Sequence, residues 1–380
     1  MSATPAPAST LLNIERTKIV GTAAESQIVT EDVAEDVAED VADGSPADHR
    51  APEDRSPGHT GQRPVERVVV LAGGLSHERD VSLRSGRRVA DALRGAGIEV
   101  AVHDVDASLL PFLAQEQPDV VWPLLHGASG EDGSIRDVLE LLSLDYVGTG
   151  PRASRAAWNK PIAKNIVLGA GLSTPDYVTL PQSLFRELGA QPVLDAIVGR
   201  LGLPLVVKPT RGGSALGVTL VRRAEDLPRA MVDCFSYGDI ALIERAVEGT
   251  EIAVSVVDGP NGPEALPAVE IVTDGTYDYD ARYNPGRTSY YAPARLAPDV
   301  AARVEDMAVR AHLALGLRDL SRSDLIVDTE GQPHFLEVNV APGMTETSLF
   351  PQAVRAAGRD LGDLYRAIVT SSAARQSTSR

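Results

Sequence analysis

The segment "FLEVNVAPGM", Phe335 to Met344, alternates apolar and polar positions with the period of two that marks a β-strand, then runs into a turn. Leu336, Val338 and Val340 project to one side as a core face, so Glu337 and Asn339 share the other. Upstream, "LSRSDLIVD" repeats the pattern, with Arg322 and Asp324 opposite Leu325 and Val327. The link "DTEGQP" is short and turn-like. It predicts two antiparallel neighbours whose Asp324, Glu337 and Asn339 converge on one surface.

The same patterning sets out the rest of the chain. "ERVVVLAGG" is a buried strand ending in glycines, and "DVSLRSGRRVADALRGAG" has helical spacing at Val81, Leu83, Val89, Ala92 and Leu93. "EVAVHDV", "DVVWPLLHG" and "DYVGTG" are further strands, with "SIRDVLELLSL" a helix between the last two. This alternation describes an open α/β unit. Then come a single helix "RAAWNKPIAKNIVLGAG" and the strands "DYVTL", "PLVVKP", "GVTLVRR", "DIALIERAV" and "TEIAVSVVDG". After Asn284 the pattern turns to helix, "PDVAARVEDMAVRAHLALG", then the two strands above and closing helices "PQAVRAAGRD" and "LGDLYRAIVTSS". Strands that cluster in pairs from Pro204 onward predict mixed or antiparallel sheets.

Composition changes the picture at one end. Residues 1–65 carry 12 acidic and 5 basic side chains, and within them the repeat "EDVAEDVAEDVAD" is followed by the Pro-, Gly- and charge-rich stretch "GSPADHRAPEDRSPGHTGQRP". Such a segment buries too little apolar surface to offset its ordering entropy, so it reads as a disordered leader, with an acidic docking tail or a transient helix as alternatives. The net charge of −17 over 380 residues argues against general nucleic-acid binding. One cysteine, Cys234, excludes an intrachain disulfide and fits a reducing compartment. No apolar run is long enough to span a bilayer, so cytoplasm without membrane insertion is the expectation.

Two carboxylates close together repel unless a cation or proton lies between them. Oxygen donors from Asp324, Glu337 and Asn339, with no Cys or His nearby, suit a hard ion, Mg²⁺ first, though a polar sheet face laced with salt bridges has the same pattern. Arg322 beside them could stabilise charge on a phosphoryl group or an oxyanion. In "VVKPTRGGSALGVTLV", Lys208 ends a strand and Gly212, Gly213 and Ser214 form a loop whose amides could surround phosphate oxygens; a plain β-turn reads the same alone. Because Lys208 precedes the glycines and no helix follows, this is not a Walker A loop. Glu244 and Glu251 flank the segment Arg245 to Val247, which could bond a planar base edge and ribose hydroxyls, or could simply be exposed acids.

Taken in order, "LAGGLSHERDVSLRSG", "LHGASGEDGSIRDVLELLSLDYVGTG", "NK", "VVKPTRGGSALGV", "LIERAVEGTEIAV", "YDYDARY", "SRSDLIVD" and "FLEVNVAPGMTETSL" resemble the D-alanine–D-alanine ligases over about residues 66–370. The resemblance implies an ATP-grasp fold of α/β and α+β parts with an N-terminal open, Rossmann-like α/β domain. It divides the chain into the leader (1–65), an N-terminal substrate domain (66–157), a central lobe (158–249), a C-terminal lobe with metal site and lid (250–372) and a tail (373–380). It implies that ATP, two Mg²⁺ (or Mn²⁺) and D-alanine are bound by a cytoplasmic homodimer. Lys160, Lys208, Gly212, Gly213 and Ser214 would meet ATP phosphates, and Glu244, Val247, Glu251 and Leu336 the nucleoside. Asp324, Glu337 and Asn339 would hold the metals. Glu78 would pair with the first D-alanine's ammonium and His126 with its carboxylate, while Ser214 and Tyr283 link to Glu78. Arg322 and the Gly343 N–H would form an oxyanion hole, and Ser348 and Leu349 would receive the second carboxylate. Arg282 stands where the family usually has Lys, in the lid "TYDYDARYNPGRTSYYAP". By the same resemblance Tyr283 would favour an amine over a hydroxyl acceptor, with a stacking lid residue as the alternative.

Overall fold

The computed structural model describes residues 64–273 and 288–377. The leader, Arg282 and Tyr283 lie outside the described residues. Strand β1 (Arg67–Leu71) is the centre of a parallel sheet, paired with β2 (Glu99–His103) on one side and β3 (Val120–Pro123) on the other. A central parallel strand is covered on both faces, which is why Val68 to Leu71 are four consecutive apolar residues with no exposure. Helix α1 (Arg79–Gly95) turns Val89 and Leu93 onto this sheet. Helix α2 (Leu109–Glu116), missed by the pattern, leads into β3, and α3 (Ala128–Glu131) and α4 (Ser134–Leu141) follow it. "DYVGTG" is not a full strand: it makes a single parallel bridge, Val121 to Tyr146, before Gly148 at φ 105° turns the chain away.

The expected single helix around "WNKP" is two, α5 (Pro151–Trp158) and α6 (Lys160–Gly169). Asn159 takes an extended conformation (φ −93°, ψ 99°) and its side chain accepts from the Ile162 N–H as an N-cap. Pro161 follows in the first turn, where its missing N–H costs nothing. The break sets Lys160 at a helix start, and its own N–H donates to Thr210 O at 3.0 Å.

Strand β4 (Tyr177–Pro181), helices α7 (Gln182–Leu188) and α8 (Ala190–Leu201), β5 (Leu205–Pro209), β6 (Thr219–Val221), α9 (Leu227–Phe235) and β7 (Ile240–Arg245) follow. The strands form an antiparallel sheet in the order β4-β7-β5-β6. The glycine loop is the link from β5 to β6.

The third sheet is also antiparallel. Its members are β8 (Gly249–Gly259), β9 (Gly262–Ala265), β10 (Val269–Thr273), β11 (Thr288–Tyr291), β12 (Leu320–Asp328) and β13 (Pro333–Asn339), in the order β11-β10-β8-β12-β13 with β9 also on β8. A strand, β11, thus precedes helix α10 (Pro298–Ala314), where the pattern after Asn284 had suggested helix directly. Gly249 is required by packing: a Cβ there would lie 2.0 Å from Val327 O.

The β12–β13 pairing is antiparallel as expected, with one correction. Asp324 faces Glu337 but Leu325 faces Phe335, so Leu336 is the extra residue of a β-bulge. The bulge resets the alternation. Phe335, Val338 and Val340 form the core side, and Leu336, expected there, is only partly buried. The closing helices α11 (Leu349–Ala356) and α12 (Leu361–Ser377) return to the first sheet, where Tyr365 stands edge-on to Trp122 with ring centroids 5.3 Å apart. Asp319 fastens this return. Its carboxylate accepts from Gly148 N at 2.6 Å, Ser372 Oγ at 3.1 Å and Arg375 Nη2 at 2.7 Å.

Candidate active site

One cleft gathers residues from the third sheet and from loops and helices that follow strands of the other two. Glu78, His126, Lys160, Gly212, Gly213, Ser214, Arg322, Asp324, Glu337, Asn339, Gly343, Ser348 and Leu349 line it. Lys208, Glu244, Val247, Glu251 and Leu336 are not among its lining residues; they lie on β5, β7, the link from β7 to β8, the start of β8 and β13.

On one wall, Arg322 and Asp324 are two apart on β12 and therefore share a face. The guanidinium forks onto the carboxylate, Nε to Oδ1 at 2.7 Å and Nη2 to Oδ2 at 2.8 Å. Across the register, Glu337 Oε2 meets Lys160 Nζ at 3.1 Å. Lys160 also donates to Gly212 O at 2.6 Å, so a single ammonium joins the metal-type face to the glycine loop. In that loop Ser214 (φ 52°) and Ala215 (φ 56°) are consecutive left-handed residues. Such a backbone costs energy and tips successive N–H groups to one side. The Ser214 hydroxyl donates to Glu78 Oε1 at the start of α1.

His126 forms the floor. Its Nδ1 lies 3.0 Å from Ala341 O, an atom that can only accept, so Nδ1 carries the proton. Nε2 then accepts from Ser85 Oγ at 3.3 Å, and Ser85 Oγ accepts from the Met344 N–H at 3.1 Å. Burial pushes the imidazole's pKa down against the upward pull of Glu78. The relay binds the turn after β13 to the first α/β unit. In that turn a Cβ at Gly343 would sit 2.8 Å from Ser348 Oγ, so a side chain there would displace that hydroxyl. Ser348 Oγ in turn accepts from the Thr345 N–H at 3.0 Å.

The donor set fits a hard divalent cation. Among the described residues no three His, Cys, Asp or Glu side chains cluster as a ready-made metal site. Two carboxylates at paired positions and the Asn339 amide oxygen supply the oxygens. Each carboxylate is here paired with a side-chain cation, Asp324 with Arg322 and Glu337 with Lys160, so a bound metal ion would share or take the place of those partners. Asn339 Oδ1 accepts from the Ala341 N–H at 2.7 Å and keeps a second lone pair.

The profile described as D-ala D-ala ligase C-terminus matches residues 166–370. The chain is 42% identical over 307 residues to a D-alanine–D-alanine ligase of Desulforudis audaxviator, covering 80% of this chain and 98% of that one. The chain belongs to the D-alanine–D-alanine ligase family. A relative from Gloeobacter violaceus with the same name is also 42% identical, over 80% of this chain and 98% of its own. Among solved structures, the D-alanine–D-alanine ligase of Bacillus anthracis complexed with ATP superposes with a TM-score of 0.69 at 27% identity, covering 83% of this chain and 99% of that one. The VanG D-Ala:D-Ser ligase of Enterococcus faecalis gives 0.69 at 26% identity, over 80% and 98%. The fold is thus that of these ATP-grasp ligases.

Two residues of this ligase-family chain escaped the sequence reading. Glu131, in "GEDG", lines the cleft and accepts from the Gly127 N–H at 2.9 Å. Burial, with the Glu78 charge added, pushes its carboxyl up to about 8. Lys164 is fully buried on α6, 2.8 Å from Glu244 Oε2. Its signal was available: with Lys160, Ala163 and Val167 it falls at i, i+3, i+4 and i+7, the buried stripe of its helix.

Proposed function

We propose that this chain joins two D-alanines at the expense of ATP, giving D-alanyl-D-alanine for peptidoglycan precursors in the cytoplasm. The observation that carries this reading is the cleft itself, where Lys160 spans Gly212 O and Glu337 within a family whose named members are D-alanine–D-alanine ligases. The first D-alanine is bound with its ammonium at Glu78, whose carboxylate is steadied by Ser214, and its carboxylate toward the face of His126. That carboxylate attacks the γ-phosphate of ATP, giving an acyl phosphate and ADP. Lys160, Lys208 and the loop amides offset the approach of anion to anion. Asp324, Glu337 and Asn339 would hold two Mg²⁺, or Mn²⁺ in its place, and when bound the ions supply charge neutralisation for phosphoryl transfer. The amine of the second D-alanine, its carboxylate near Ser348 and Leu349, then attacks the acyl carbon. Arg322 and the Gly343 N–H stabilise the oxyanion, and phosphate leaves. Residues 66–157, 158–249 and 250–372 act as substrate domain and two ATP-holding lobes, and the same reading carries a homodimer, tested by sedimentation.

The deciding assay is phosphate release from ATP with D-alanine, D-serine, D-lactate and L-alanine compared side by side. D-alanine alone should support turnover at neutral pH, and preference for D-lactate or D-serine as second substrate would overturn the acceptor.

A further inference from the structure

Glu244 lies buried at the end of β7 with two ammoniums on it. Lys208 Nζ is 2.5 Å from Oε1 and Lys164 Nζ is 2.8 Å from Oε2. One carboxylate is balanced by one counter-ion, so the arrangement holds a positive charge more than it needs.

The two lysines are tethered differently. Lys164 has no exposure, and its Nζ hydrogen-bonds to Thr174 Oγ1, whose hydroxyl donates onward to Phe335 O on β13 at 2.7 Å. That chain ties the ammonium to a neighbouring sheet. Lys208 retains 6% exposure and sits next to last on β5, two residues before the link that carries Gly212 and Ser214. Lys208 therefore stands nearer the glycine loop, while Lys164 is anchored on both Glu244 and Thr174. Burial draws the Lys164 ammonium down to about 8 against the upward pull of Glu244, so it is charged at neutral pH. Burial also works against the Glu244 charge, yet Lys208 and then Lys164 hold its carboxyl below the usual range.

We propose that Lys164 is a positioning residue: it is the fixed counter-ion of Glu244, and so lets Lys208 leave that carboxylate for the phosphates of a nucleotide at the glycine loop without stranding a buried charge. The inference rests on the nucleotide-dependent ligase reading above. A buried carboxylate stripped of its partner is strongly disfavoured, so without Lys164 the only way to keep Glu244 paired is to pin Lys208 on it.

The test is a double-mutant cycle on ADP binding, by calorimetry on the full chain, with thermal unfolding measured in parallel. K164M should weaken ADP by roughly 10-fold or more, whereas the same change in an E244Q background should cost less than about 2-fold, since no carboxylate remains to hold Lys208. Equal losses in both backgrounds, or no loss in either, overturn the proposal; a purely structural role would lower the unfolding temperature without this coupling. Should K164M fail to fold, T174V keeps the shape of the residue and removes the tether. It should weaken ADP several-fold, and an unchanged affinity counts against the tether and the proposal together. Wild-type chain that binds no ADP would sink the nucleotide reading as well, whereas wild-type binding with an additive cycle sinks this inference alone.

Discussion

Arg322 works from a short, bidentate grip on Asp324, both side chains being largely withdrawn from water. Losing one oxyanion donor typically lowers the rate on the order of 10²–10³-fold, and Arg322→Ala should fall at least that far in kcat while its far-ultraviolet circular dichroism is unchanged. Near-normal turnover would remove Arg322 from the chemistry. Glu131 makes a different forecast. Its carboxyl titrates near 8 in the folded chain against an ordinary 4.5, so the native state holds a proton that the unfolded chain has released. Stability should therefore decline as pH rises from about 4.5 through about 8. Glu131→Gln, which mimics the protonated acid, should flatten that decline in thermal melts from pH 5 to 8, and a decline of the same size in the variant would refute the assignment. At this scale the residues read from alternation, Asp324, Glu337 and Asn339, are found together on one cleft wall. Glu131 was illegible because its weight comes from burial and from the Glu78 charge distant along the chain, which no local pattern encodes, whereas Lys164 could be read only as part of the buried stripe of its helix and not as the partner of Glu244.

Between elements, the informative events are interruptions. Asn159 stops one helix and caps the next, and thereby delivers Lys160 to Gly212 O and Glu337. Asn159→Ala removes the cap and should cost about 1 kcal/mol in denaturant unfolding. Because Lys160 moves with the helix start, turnover should drop by more than that stability loss explains; unchanged kinetics would show that the cap has no bearing on the site. The periodicity of "RAAWNKPIAKNIVLGAG" runs straight through this break, since both helices bury compatible faces, and only the Asn–Lys–Pro sequence marks it. Likewise the bulge at Leu336 cannot be seen in strict alternation, because one extra residue shifts the phase of everything before it. The pairing of β12 with β13 was legible from its short turn, and the run Val68 to Leu71 from its unbroken apolarity.

For the whole molecule, the residues that line the cleft run from Glu78 to Leu349. Deleting residues 1–60 should leave the rate of phosphate release with D-alanine within about 2-fold of the full chain, a change too small to represent a lost catalytic interaction, typically worth over 10²-fold. A larger fall would give the leader a role in turnover. Many of the strands followed from where apolar runs and turns fall in the sequence, but their crossing orders within the sheets, β2-β1-β3 and β4-β7-β5-β6, did not. The return of the last helix to the first sheet did not, because Trp122 and Tyr365 are joined by shape and not by proximity along the chain.

That return has a consequence for synthesis. Asp319 receives the Gly148 amide, near the exit of the first α/β unit, together with Ser372 and Arg375 from the final helix. A chain emerging N-terminus first can build its early sheet while translation proceeds. The contacts at Asp319 must wait until Ser372 and Arg375 have been made, so the first unit is closed onto its final helix only long after its own strands are in place.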